Sequence, residues 1–309
     1  MEIFIILGLF GAIALADMFQ SDDGPDLDSA PEKSAGDQAT DTRAELSPPD
    51  GNDTPSTQET LDPFVERNNQ AVSSYRSGDA GGYNIDIDFQ GDWTADEQTA
   101  VRAAADYISE IIVDDVPNVS SRGEQLDDLA IVAKKENMDG AYGVLASARV
   151  TEVRAESFLP TRGEVAFDTN DIARMQRNGD WETTVLHEMF HTLGFGVTWA
   201  SQDLLSNKGE AGLRFTGANA TAAYNSEYSD VNKDDYRSIG VPVEEDGGAG
   251  TAGSHWDEDV FDEEFMTGIL DRTDHISKLS IAALEDMGYD TLWNDVTKSG
   301  DATGQFGYS

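Results

Sequence analysis

The chain of 309 residues contains no cysteine. Disulfides, thiolate metal ligands and a thiol nucleophile are thereby excluded, and any metal has to be held by histidine, carboxylate, backbone oxygen or water. Histidine is itself scarce, with four in the whole chain. Basic residues are few as well: 20 Lys and Arg stand against 60 Asp and Glu, for a net charge of -40. A charge of that sign repels nucleic acid and anionic lipid surfaces, which removes both as partners. It favours solubility in high salt and attracts divalent cations, and it points to a saline source in which the fold loses stability as salt is withdrawn. Hydrophobic residues make up 39%, low for a chain packed throughout, so part of it is expected to stay outside any core.

A long hydrophobic run is also missing. Ile3 to Ala16 is an uncharged stretch of 14 residues, short of the ~20 that a spanning helix uses. It resembles the apolar region of a signal peptide, with Ala14-Leu15-Ala16 as a small-residue cleavage site, although Glu2 stands where a basic residue is expected. An uncleaved membrane anchor over residues 1–19, extended by Met18 and Phe19, is the alternative. Either places the remainder outside the cytoplasm, secreted or tethered to the outer side of the membrane. Residues 20–80 are rich in Asp, Ser, Pro, Gly and Thr, a composition that cannot bury enough surface to fold alone. They read as a disordered acidic linker or propeptide.

Order is expected from Tyr83. In YNIDIDF, Tyr83, Ile85, Ile87 and Phe89 alternate with polar residues, as in a half-buried strand. Thr94 and Glu97 have capping-box spacing at the start of TADEQTAVRAAADYISEII, where Val101, Ala104, Ala105, Ile108 and Ile112 make one apolar helical face that must stop before Pro117. LAIVA (129–133), GVLASARV (143–150) and GEVAFD (163–168) read as further strands.

The helix that follows carries the chemistry. In DWETTVLHEMFHTLGFG, Trp181, Val185, Met189 and Leu193 recur every four residues, Asp180 is placed to cap the start, and Gly194 to end the helix in a left-handed conformation. His187 and His191 lie one turn apart, so both imidazoles project from the same side. Two neutral imidazoles at that spacing bind one Zn²⁺, and Glu188 sits where it can take a proton from an activated water. A chance match on a surface helix is disfavoured by so few histidines and by the flanking helical pattern. A hydrolytic zinc site uses three protein ligands. The nearby position 197 is Val197, which leaves His255, His275 or a carboxylate. His275, in DRTDHISKLS, reads more simply as a histidine at a helix entry, and Met266 alone as core filler.

HEMFHTLGFG, a long insertion, SHWDEDVFDEEFMTG and SKLSIAALEDMGYD together resemble the leishmanolysin family of metzincin metallopeptidases, over roughly residues 81 to 295. LPTRGEVAFD (159–168) is similar to the segment before the active-site helix in bacterial members. The resemblance implies His187, His191 and His255 as ligands of one Zn²⁺, Glu188 as general base, Gly194 as the helix-ending turn and Met266 as the methionine-turn residue. It implies an α/β (α+β) metzincin fold: a twisted, mostly parallel sheet with the active-site helix over 81–196, and a loop- and helix-rich C-terminal subdomain over 197–309 that supplies the third ligand. The implied activity is endopeptidase hydrolysis of protein or peptide substrates. A zinc hydrolase of non-peptide bonds, or a non-catalytic surface module with a structural zinc, are the rival readings. Three features depart from the family: the cysteine framework is absent, the insertion over 197–254 is polar and acidic, and the N-terminal tail is short and polar for a folded pro-domain. Within the insertion, Asp230, Asn232 and Asp234 have Ca²⁺-loop spacing, but Asp235 and Val241 occupy the positions of the expected Gly and Glu. A solvated loop is the simpler reading there, with an irregular Ca²⁺ site as the alternative. The glycine-rich GGAGTAGSHW (247–256) reads as a flexible approach to the third ligand.

Overall fold

The computed structural model describes residues 15–17, 70–207, 209–228, 236–246, 248, 250–269 and 276–293. Strands β1 (Leu15–Asp17), β2 (Ser74–Arg76), β3 (Ile85–Gln90), β6 (Leu129–Glu136), β7 (Ala146–Val153) and β8 (Pro160–Asp168) build one sheet in the order β1-β7-β8-β6-β3-β2; between β3 and β6 lie helix α1 (Ala95–Ile111) and a hairpin of β4 (Val119–Ser121) and β5 (Glu124–Leu126). The centre is parallel, β3 on β6 and β6 on β8, and β7 and β2 flank it antiparallel. Because β1 is antiparallel to β7, it runs with the parallel set, so four of the six strands point one way. This is the mixed α/β architecture with a mostly parallel sheet that the family resemblance implied.

Helix α1 shows why the local reading works. Thr94 Oγ1 accepts from Glu97 N at 3.2 Å while Glu97 Oε2 accepts from Thr94 N at 2.7 Å, so two helix-start donors are satisfied reciprocally. Glu97 also takes Lys135 Nζ of β6 at 2.9 Å. Burial pushes its carboxyl up, but these partners hold it below the ordinary value. Val101, Ala104, Ala105 and Ile108 are buried as a face. Each of the larger ones contributes about 1.5–3 kcal/mol by leaving water. The C-terminal segment seals the helix end, with Val113 N on Asp290 O at 2.8 Å and Leu292 N on Ile111 O at 2.9 Å.

Two expectations need adjustment. The linker expected over 20–80 reaches too far: residues 70–80 belong to the folded unit, where β2 pairs with β3 and Ser77 N bonds Ile85 O at 3.1 Å. An edge strand of three residues is too short to show alternation. The strand expected at 143–150 begins instead at Ala146, because a turn occupies 139–144; Val144 N bonds the Asp139 carboxylate, and Gly140 and Tyr142 have φ of 94° and 69°. Residues 20–69, the Asp230–Asp234 stretch and His275 lie outside the described residues. So does the run Ile3–Ala16, except for its last two residues. Among the described residues no helix is long and apolar enough to cross a membrane.

After β8 come α2 (Ile172–Asn178) and α3 (Trp181–Thr192). Then follow a small sheet of β9 (Leu205–Asn207), β10 (Leu213–Phe215) and β11 (Val241–Pro242), with α4 (Ala218–Glu227), α5 (Glu258–Phe261) and α6 (Lys278–Met287). This second half is loop- and helix-rich, as expected, and its described residues belong to the same compact unit as the first. It locks onto itself through Asp286 of α6, whose carboxylate accepts Asn219 N at 3.0 Å and Ala220 N at 2.8 Å at the start of α4.

Candidate metal centre

Helix α3 lies inside the protein. Ten of its twelve residues are buried, including Trp181, Val185 and Met189 of the apolar stripe. An apolar-and-polar helix buried all round needs close neighbours, and Gly163 of β8 provides one: a Cβ there would come within 2.8 Å of Thr192 Cβ, so only glycine lets the helix end lie this near the sheet. Trp181 stacks edge-on against Phe167 of β8 at 4.8 Å and donates Nε1 to Glu97 O of α1 at 3.3 Å. Asp180 stands at the N-cap, but its carboxylate makes no capping bond; its carbonyl accepts Thr184 N at 3.0 Å instead. At the other end Gly194 has φ of 94°, the left-handed conformation expected of it.

Two residues on, Gly196 has φ of 71°, and a Cβ on it would collide with the backbone of Ser254. That close approach brings His255, sixty-four residues beyond His191 in sequence, against the helix. The three imidazoles meet there. Their Nε2 atoms are 3.0 Å (His187–His191), 3.1 Å (His191–His255) and 3.2 Å (His187–His255) apart, and all three residues are 0% exposed.

The opposite ring nitrogens fix the tautomer. His187 Nδ1 lies 2.6 Å from Phe265 O, His191 Nδ1 3.0 Å from Phe195 O, and His255 Nδ1 3.0 Å from Thr251 O. A carbonyl only accepts, so each Nδ1 carries the proton and donates, and each Nε2 presents its lone pair to the common centre. Backbone carbonyls holding the far nitrogen are the usual outer partners of metal-binding histidines. The spacing also fits: three nitrogens near 3.1 Å apart would admit one ion at the ~2.0–2.1 Å of imidazole–zinc bonds. Three neutral imidazoles and no thiolate suit Zn²⁺. Glu188 follows His187 on the same helix and is 0% exposed.

Beside His187 lies the turn Glu264–Thr267, closed by Thr267 N on Glu264 O at 3.1 Å. It supplies Phe265 O to His187 and places buried Met266 next in the chain, with Met266 O accepting Trp256 N at 3.0 Å. Phe265 packs edge-on against Phe190 of α3 at 4.8 Å. Sequence reasoning missed Glu264. Within DEDVFDEEF it looks like one more surface acid, yet it is 0% exposed, and burial pushes its carboxyl up to about 7 against the pull of Ser280, Met266 and Ser277. A second group of acids, Asp115, Asp127 and Asp128, lies elsewhere. There Asp128 is already engaged by Val116 N at 3.0 Å and Asn84 N at 2.6 Å.

A family model described as leishmanolysin, of the peptidase M8 group, matches residues 128–297, more than half of the chain. A ciliated left-right organizer metallopeptidase from Xenopus laevis is 28% identical over 144 residues, which cover 42% of this chain and 20% of the relative. The matched part of this chain thus spans about a fifth of the length of that curated relative.

Proposed function

We propose a function for this chain on one premise: it belongs to the leishmanolysin family. The proposed activity is zinc-dependent hydrolysis of internal peptide bonds in protein or peptide substrates. The observation that carries it is the convergence of three Nε2 atoms within 3.2 Å of one another, each ring held at Nδ1 by a backbone carbonyl. The family, and the Xenopus relative being named a metallopeptidase, support the same class of reaction.

In this reading His187, His191 and His255 hold the metal. Zinc there supplies Lewis acidity, polarising a substrate carbonyl and lowering the pKa of a water to about 7. Glu188, one residue from His187 on the same helix, takes the proton of the attacking water on its carboxylate and delivers it to the leaving amine. The Nδ1 bonds keep the three rings oriented with Nε2 toward the common centre. Met266 and Gly194 act by shape, the first flooring the site and the second ending α3 so that the chain turns toward the third histidine. The net charge of -40 turns nucleic acid away, and the apolar run Ile3–Ala16 supports placement outside the cytoplasm.

Replacing Glu188 with glutamine tests the assignment. The variant should bind zinc like the wild type while kcat on casein falls by ~10²–10⁴. Turnover at the wild-type rate would remove Glu188 as the base.

A further inference from the structure

Glu264 has no part in that mechanism, yet its buried carboxylate gathers four hydrogen bonds. Oε2 accepts Met266 N at 2.7 Å. Oε1 accepts Ser280 Oγ at 2.6 Å, Ser277 Oγ at 2.8 Å and Ser277 N at 3.3 Å. Removing a carboxylate from water is costly, and this many donors around one group is what makes it tolerable. Ser277 is the N-cap of α6, so the acid ties the start of that helix to the turn beside His187.

Two routes lead from this carboxylate to the rings. Along the first, Oε2 holds Met266 N, and the peptide of that same N–H carries Phe265 O, the acceptor for His187 Nδ1 at 2.6 Å. Along the second, Ser280 Oγ donates to Glu264 and accepts Trp256 Nε1 at 2.9 Å, and Trp256 follows His255 directly. The bond from Trp256 N to Met266 O at 3.0 Å joins the two routes. One carboxylate therefore braces the backbone acceptor of one histidine and the neighbour of another, from different segments of chain.

We propose that Glu264 is a positioning residue of the metal centre: its two oxygens join the 264–267 turn to Ser280, the partner of Trp256, and so fix the separation of the His187 and His255 rings. The inference rests on the reading of the three histidines as ligands. It differs from ordinary core packing in one respect. The metal should sense the loss of the Oε2 contact to Met266, whereas the Ser277 contacts serve only the helix.

Isosteric Glu264→Gln separates these roles. Glutamine keeps one acceptor and replaces the other with an NH₂. Three donors surround Oε1 and one faces Oε2, so the amide oxygen turns to the serines and the NH₂ meets Met266 N–H, donor against donor. Zinc affinity of the full chain is measured by competition with a chromophoric chelator, with the cobalt(II) absorption spectrum as a report on ligand geometry and thermal unfolding as the measure of the fold. E264Q should weaken zinc binding ~10–100-fold, the range seen for outer-shell partners, and change the cobalt spectrum. S280A, which cuts the link to Trp256, should weaken it less. S277A should lower Tm while leaving zinc affinity within about twofold of wild type, since it touches neither route. Wild-type affinity and spectrum in E264Q overturn the proposal, as do affinity losses in E264Q and S277A that merely track their losses in Tm. If E264Q does not fold, S280A and S277A decide, and equal affinities refute the proposal. A wild-type chain that binds no zinc overturns the metal reading, and this inference falls with it.

Discussion

Replacing Gly196 with alanine should pull the third histidine away from the first two. Gly196 has φ of 71°, a conformation that costs alanine ~1–2 kcal/mol. The added methyl would also overlap the carbonyl of Ser254, and a backbone group cannot swing aside as a long side chain can. To restore ordinary contact Ser254 has to retreat by about 1 Å, several times the ~0.2 Å tolerance of metal–ligand distances. His255 is the next residue. Overpacking of this kind costs ~1–3 kcal/mol, so with the backbone term the variant should lose about 2–5 kcal/mol of stability. It should also lose at least the ~10–100-fold in zinc affinity that disturbed outer partners produce. Gly123, in the β4–β5 hairpin, is the control: its φ is 86°, and nothing lies within 4 Å of an added Cβ. Gly123→Ala should cost only the backbone term of ~1–2 kcal/mol and leave zinc binding alone. The pair is read by denaturant unfolding and zinc competition. If Gly196→Ala binds zinc as tightly as wild type and loses no more stability than Gly123→Ala, the close approach at Ser254 is not what delivers His255.

His255→Ala should weaken zinc binding far more than His275→Ala, and the reverse order would identify His275 as the third ligand. The acids at 115 and 128 give a pH prediction. Burial, followed by the Asp115 carboxyl, pushes Asp128 up to about 7 from an ordinary 3.8. A raised acid pKa means that the folded state holds the proton more tightly than the unfolded chain between these values, so this group's contribution to stability falls as pH rises from about 4 to 7. Asp115→Asn removes the like charge, so the variant should have a higher Tm than wild type at pH 8 and match it near pH 4. A Tm difference independent of pH, or of opposite sign, would show that Asp115 does not load Asp128.

What could be read from the sequence was what local periodicity encodes. The four-residue spacing of His187 and His191, the Thr94–Glu97 capping box and the alternation of Ile85, Ile87 and Phe89 each reflect one element's own geometry, and each appears in the structure as read. The approach of His255 does not work this way. It depends on a glycine at 196 and a backbone contact across 58 residues, and no spacing rule reports that; only resemblance to a family singled the residue out beforehand. The acceptors that orient the rings are backbone carbonyls of Phe195, Thr251 and Phe265, so they carry no side-chain signature. Glu264 was hidden for another reason: burial decides its role, and an acid in an acidic run looks solvated until the fold encloses it. The strand read over 129–133 runs on through Glu136, and Lys134 and Lys135 within it pair with Glu164 and Glu97.

If three buried histidines hold zinc for peptide hydrolysis, proteolysis depends on the metal, and zinc content measured together with activity checks this. The full chain would be assayed by elemental analysis and on casein, before and after o-phenanthroline, and again with zinc restored. The expected result is one zinc per chain, with proteolysis that stops on chelation and returns with the metal. A chain that binds no zinc, or one whose proteolysis survives complete removal of the metal, would contradict it.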